Sequence, residues 1–157
     1  MQHGTAAPAA HHYGDELSMR IVDVERVQSL RDDATIETLM VQLVERVGMR
    51  ILAGPVVGTE YGGPQQSGKS AVLILAESHA ALHTYPELGQ AFFNLFSCKP
   101  FSESTVLATL TEFLGDFAVV ERKLVRRGDG WPQQIDAAAS YWRRRRDAAQ
   151  VPGHGGA

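Results

Sequence analysis

The sequence predicts an α+β fold, a two-layer sandwich in which one mainly antiparallel sheet carries its helices on one face. Three observations support this. Short segments rich in β-branched and aromatic residues crowd together from Met49 to Cys98, which favours hairpins over crossover connections. Two amphipathic helical segments bracket that run of strands. A chain of 157 residues with 44% hydrophobic content is long enough for one substantial core, burying roughly 70% of the surface exposed when unfolded.

The opening residues are rich in Ala, Gly and His and lack hydrophobic periodicity, so 1–13 read as a mobile arm rather than a metal site. Glu16 to Val24 reads as a strand through Leu17, Met19 and Ile21, with the alternation slipping near Val22. Ile36, Leu39, Met40, Leu43, Val44 and Val47 recur at helical spacing, with Asp33 as the expected N-cap and Gly48 as the stop. Met49 to Val57 is the next strand. Gly58 to Gly68, holding four glycines and a proline, reads as a flexible loop bordering the site. Ser70 to Ala76 and Ala80 to Tyr85 are two short strands flanking Glu77, Ser78 and His79, and Ala91 to Cys98 is a further strand. Val106, Leu107, Leu110, Phe113 and Leu114 mark a second helix, capped by Ser102 or Ser104, before a strand from Phe117 to Val125. Residues 128–157 form an extension whose helix, Ile135 to Gln150, carries the run Arg143 to Arg146 as a solvated end.

A net charge of -3 and a pI near 6.0 give no extended positive field for nucleic acid, so the expected partner is a small molecule. The single cysteine, Cys98, excludes an internal disulfide, and no Cys/His spacing matches a structural zinc site. Apolar runs such as Ala71 to Ala76 fall far short of the ~20 residues that span a bilayer. The chain therefore reads as cytoplasmic, without a membrane or targeting segment.

Chemistry concentrates in Ser70-Ala-Val-Leu-Ile-Leu-Ala-Glu77-Ser78-His79-Ala-Ala-Leu-His83-Thr-Tyr85-Pro86-Glu87, followed by Phe96-Ser97-Cys98. Hydroxyl, imidazole, carboxylate and thiol groups stand there beside a hydrophobic framework. A Ser-His neighbourhood suggests nucleophilic catalysis, yet no G-x-S-x-G elbow is present, which argues against a hydrolase triad. Taken singly, a strand-end serine or histidine is commonly a satisfied polar group, and a lone cysteine a small buried hydrophobe.

The joint pattern A-E-S-H-x-x-x-H-T-Y-P-E, with a cysteine twenty residues after the serine, resembles the processing segment of the bacterial S-adenosylmethionine decarboxylase proenzymes. The usual family form is E-S-H-x-x-x-H-T-W-P-E, and Tyr85 here replaces its tryptophan. The resemblance is specific from Ser70 to Cys98 and more diffuse from Glu16 to Val125. It implies a domain over 14–127, self-cleaved between Glu77 and Ser78, with Ser70 and His83 as processing residues. It further implies a pyruvoyl cofactor made from Ser78, Cys98 as proton donor, Glu87 as a ribose contact, and Tyr85 stacking on the adenine or sulfonium.

That chemistry suits these residue types. A serine hydroxyl can attack the preceding carbonyl, and elimination and hydrolysis then leave a ketone on the new amino terminus. The ketone takes a substrate amine as a Schiff base and accepts the electrons left by departing carbon dioxide, and a thiol can return a proton. The implied reaction supplies the aminopropyl donor of spermidine synthesis, and the implied assembly is a homodimer packed sheet on sheet. One departure concerns the substrate. The family's first strand opens as G-x-H-L with an acidic residue a few positions on, whereas Gly14-Asp15-Glu16-Leu17 here runs into Ser18, Met19 and Arg20. Ornithine or arginine decarboxylation is the alternative this opens. An inactive regulatory paralogue is a second alternative, opposed by intact Ser78, His83 and Cys98.

Overall fold

The computed structural model describes residues 11–63, 67–131 and 135–149. Most of the expected arm (1–10), residues 64–66 of the glycine-rich loop and the end of the tail (150–157) lie outside the described residues. Residues Gly14–Arg127 form one compact unit, and the flanking segments form another.

Within Gly14–Arg127 the chain runs β1 (Gly14–Val22), α1 (Asp33–Arg46), β2 (Ile51–Glu60), β3 (Gly68–Leu75), β4 (Ser78–Tyr85), β5 (Gln90–Ser97), α2 (Glu103–Leu114) and β6 (Ala118–Arg127). Short 3-10 turns cover Val27–Leu30 and Pro86–Leu88. The six strands form one sheet in the order β2-β3-β4-β5-β1-β6, antiparallel at every pairing. The expected α+β architecture is borne out.

Period-two alternation sorts the side chains between the two faces. Leu17, Met19, Ile21, Leu73, Leu82, Phe93 and Leu95 are buried, in one core with Leu39, Met40 and Leu43 of α1 and Val106 and Leu110 of α2. On the opposite face Val72, Ile74 and Phe92 remain exposed, and Ser70 and His83 share that face by register. Thr84 fastens β4 to the first 3-10 turn, donating to the Leu30 carbonyl at 2.8 Å and accepting from the Lys69 N–H at 3.1 Å.

Several boundaries differ from the sequence expectation. The N-cap of α1 is Asp32, whose side chain accepts from the Thr35 N–H at 2.8 Å, and Asp33 is the first helical residue. Both are aspartates before the same apolar run, and only the backbone decides which is extended. Ser102 caps α2. Strand β2 extends to Glu60, because Gly58, Thr59 and Glu60 find partners in Ser70, Lys69 and Gly68 across the ladder. Ser78 and His79 belong to β4, paired with Leu75 and Ile74, so only Ala76 and Glu77 remain in the turn. The slip in β1 is a register shift between Arg20 and Ile21, one step before the expected place.

In the flanking unit, Tyr13 N–H donates to the Gly128 carbonyl at 3.2 Å and the Tyr13 ring meets Trp131 edge-on at 4.7 Å. Helix α3 (Ile135–Ala149) carries the arginine run, exposed from Arg143 to Arg146. No helix among the described residues is long and apolar enough to cross a membrane.

Candidate active site

The β3–β4 hairpin bears most of the singled-out residues, grouped at two places. Its turn carries the first group. A two-residue hairpin loop ordinarily calls for positive φ within the loop, hence Gly or Asn. Here the loop is Ala76-Glu77, and the positive φ, 149°, falls on Ser78. That region costs a residue with a side chain about 1–3 kcal/mol and persists only where surroundings enforce it. Three hydrogen bonds surround the turn. The Cys98 N–H donates to the Glu77 carbonyl at 3.0 Å, the Ala76 N–H to the Arg50 carbonyl at 2.9 Å, and the Arg50 N–H to the Glu77 carboxylate at 3.0 Å. Ser78 Oγ lies 3.3 Å from His79 Nδ1.

Cys98 reaches this place because β5 pairs Ser97 with Ser78 on one side, while β1 pairs Asp15 with Ser97 on the other. Gly14 allows the approach, since a Cβ there would fall 2.2 Å from the Ser97 carbonyl oxygen and 2.8 Å from Cys98 Cα. Cys98 is exposed and carries a free thiol.

The second group lies farther along the hairpin. Ser70 and His83 are cross-strand partners, and Ser70 Oγ and His83 Nδ1 share a 2.7 Å hydrogen bond. His83 stands five positions from Ser78 in β4, roughly 16 Å at ordinary strand rise. The structure thus joins Ser70 to His83, and Glu77 to Ser78 and Cys98, without bringing the two groups into contact. Beside His83 a cavity of about 430 Å³ opens on the uncovered face, lined in part by Ser18, Arg20, Phe92, Asn94, Glu121 and Lys123.

Past the far end of β4, Glu87 lies in the second 3-10 turn and accepts from Arg31 at 2.7 Å. That guanidinium, through its hydrogen bond and then its charge, holds the Glu87 carboxyl below the usual carboxylate range. Both line a smaller cavity of about 270 Å³ with Tyr61, Lys69 and Pro86. Tyr85 packs edge-on against Phe92 at 6.0 Å between centroids.

The residues of the atypical first strand are tied into side-chain pairs. Glu16 accepts from Asn94 Nδ2 at 2.9 Å and from Arg127 at 2.8 Å, and its carboxyl is held low, first by the Asn94 hydrogen bond, against the opposing effect of burial. Arg20 donates to Gln90 at 3.1 Å, near Glu121 at 3.4 Å, while its Nε is buried without a partner. Sequence reasoning missed Arg31, Arg50 and Asn94 because their partners lie on other elements; Gly14 alone carried a signal, as the opening glycine of the strand pattern. Among the described residues no cluster of metal-ligating side chains occurs.

The S-adenosylmethionine decarboxylase family profile matches residues 19–128. The chain belongs to that family. Among individual S-adenosylmethionine decarboxylase proenzymes, that of Methanococcus aeolicus is 32% identical over 87 residues, covering 55% of this chain and 69% of that protein. The proenzyme of Symbiobacterium thermophilum is 28% identical over 118 residues, 75% of this chain and 85% of the relative. The chain spans about half the length of some relatives, 54% for the Methanococcus vannielii proenzyme. In three dimensions it is similar to the crystal structure of the adenosylmethionine decarboxylase from Aquifex aeolicus, with a TM-score of 0.60 over 80% of this chain and 98% of that one, at 18% identity. The family resemblance is thereby borne out, and the fold is one that an S-adenosylmethionine decarboxylase adopts.

Proposed function

We propose that the domain 14–127 cleaves itself between Glu77 and Ser78 and decarboxylates S-adenosylmethionine through the pyruvoyl group so formed. The observation that carries this reading is the scissile peptide itself. The Glu77 carbonyl, the electrophile, accepts from the Cys98 N–H at 3.0 Å, and the nucleophile's own residue has φ of 149°. A donor already on that oxygen stabilises the oxyanion as Ser78 Oγ adds. The new C–O bond replaces the peptide C–N bond, and the hydroxyl proton passes to the Ser78 nitrogen. Loss of the Ser78 Cα proton then breaks the Cβ–O bond and releases Glu77 as a carboxyl terminus. Water replaces ammonia on the remaining dehydroalanine.

When formed, the pyruvoyl group supplies an electron sink for loss of carbon dioxide. Cys98, one residue past the strand partner of Ser78, holds the proton destined for the substrate carbon. Glu87, whose carboxyl Arg31 holds below the usual range, suits a ribose diol as a charge-assisted acceptor, with Tyr85, two positions earlier in the chain, as the stacking ring. Family and relatives alike favour S-adenosylmethionine over ornithine or arginine.

The separation of Ser70 and His83 from Ser78 supports a homodimer with a shared site. An imidazole roughly 16 Å along an extended strand cannot serve the Ser78 bond of its own chain. Val72, Ile74 and Phe92 leave the face around it apolar and uncovered. A second protomer packed on that face can present its Ser70 and His83 to the hairpin turn of the first.

Mass spectrometry of the purified protein tests cleavage: fragments 1–77 and a pyruvoyl-blocked 78–157 are expected, and Ser78→Ala should stay whole. An uncleaved wild-type chain after prolonged incubation overturns the reading. Carbon dioxide release from S-adenosylmethionine, ornithine and arginine tests the substrate.

A further inference from the structure

The three hydrogen bonds at the hairpin turn join it to two different places. One donor comes from Cys98, at the end of β5. The other two contacts engage both main-chain groups of Arg50, in the short link between α1 and β2. The Ala76 contact is an ordinary main-chain pairing. The Glu77 contact is different, because the residue whose carbonyl is the proposed electrophile contributes its own carboxylate. The link is itself tied down, since Lys99 Nζ donates to the Gly48 carbonyl at 2.6 Å and the Met49 N–H to the Val44 carbonyl at 2.9 Å. Glu77 is thus clamped at both ends, carbonyl on Cys98 and carboxylate on Arg50.

Strain at Ser78 gives the clamp something to do. A serine at a φ of 149° relaxes unless its neighbours over-determine it. Relaxation would rotate the Glu77–Ser78 peptide and carry the carbonyl away from the Cys98 N–H. Resting on the self-cleavage reading, we infer that the Glu77 carboxylate is a positioning group for the first step, holding the scissile peptide so that Ser78 Oγ can add to it. It touches neither the reacting atoms nor the substrate; it acts through the Arg50 N–H. A fixed near-attack geometry is one of the larger contributions available to an intramolecular reaction.

The test compares two substitutions of equal side-chain length in the full chain, made by cell-free synthesis and followed on denaturing gels. Glu77→Gln keeps an oxygen that accepts from Arg50, whereas Glu77→Met keeps the length and loses the acceptor. Glu77→Met should cleave roughly ten- to a hundredfold more slowly, as expected for a lost charge-assisted hydrogen bond, with Glu77→Gln within a few fold of wild type. Added hydroxylamine, which cuts an ester, should not speed Glu77→Met, because the ester itself forms slowly. Thermal unfolding of both chains, with self-cleavage blocked by an added Ser78→Ala change, should give similar midpoints. Wild-type cleavage by Glu77→Met, equal slowing of both variants, or rapid hydroxylamine cutting of Glu77→Met overturns the inference. A wild-type chain that never cleaves overturns the self-cleavage reading instead, and this inference with it.

Discussion

The turn of the β3–β4 hairpin and its middle are built by different means. At the turn, main-chain groups dominate: Cys98 N–H and both polar groups of Arg50 converge on Ala76 and Glu77, and the strained φ falls on Ser78. In the middle, side chains dominate: Ser70 and His83 hydrogen-bond to each other on the exposed face. Main-chain donors at a turn are as rigid as the sheet that supplies them, which suits holding one peptide in a strained shape. Two exposed side chains can meet a group that arrives from outside. Under the proposed reading, the bond to be broken and the groups that would break it occupy two parts of one hairpin, and complementation between copies is the expectation to test.

The largest expected effect tests that division directly. His83→Ala alone should remain uncleaved, as should Ser78→Ala alone. When the two chains are produced together, the His83→Ala chain should be cleaved, because its Ser78 meets the intact His83 of its partner. Gel analysis with distinguishable tags reads this, and absence of cleavage in the mixture would place the whole reaction within one protomer.

Next in size are substitutions on the two faces of the sheet. Leu43→Ala empties a fully buried site beneath the sheet and should cost about 2–5 kcal/mol by urea unfolding. Ile74→Asp, on the uncovered face and 53% exposed, should leave the stability of the single chain within about 1 kcal/mol while dissociating the proposed dimer in sedimentation and slowing cleavage. A smaller effect belongs to Arg31. Arg31→Ala should cleave normally but raise KM for S-adenosylmethionine by roughly three- to tenfold, since Glu87 loses the hydrogen bond that orients it. An unchanged KM would remove Glu87 from the ribose.

The smallest is a pH effect. The Glu16 carboxyl is depressed chiefly by the Asn94 hydrogen bond. Its contribution to stability is therefore complete above the unfolded carboxylate value of ~4.3 and is lost as pH falls through the lower folded value. Asn94→Ala should lose less stability than wild type on the acid side, measured by denaturant unfolding across that range.

The succession of strands along the chain, the two amphipathic helices and the E-S-H segment were all legible in the sequence, because hydrophobic period and turn residues are local properties. So was the family, through His83, Tyr85, Glu87 and Cys98 at their spacing from Ser78. Local pattern also placed both helix caps within two residues, yet could not choose Asp32 over Asp33, since either side chain is able to cap. It left Ser78 in a loop, because nothing in Leu75-Ala76-Glu77-Ser78 announces that the ladder closes after a two-residue turn. The contacts that matter most for the site had no sequence signal at all. The Arg50 N–H, the Cys98 N–H, the Arg31 guanidinium and Asn94 act through partners 27, 21, 56 and 78 positions away. Only the sheet brings such groups together, by pairing β5 with β4 and β1 and by laying the α1–β2 link against the hairpin turn. Residue type and spacing thus determined the family and pointed to the chemistry proposed for the chain; the antiparallel register decided which groups meet within one chain, because strand spacing and rise, not sequence proximity, set the distances between them.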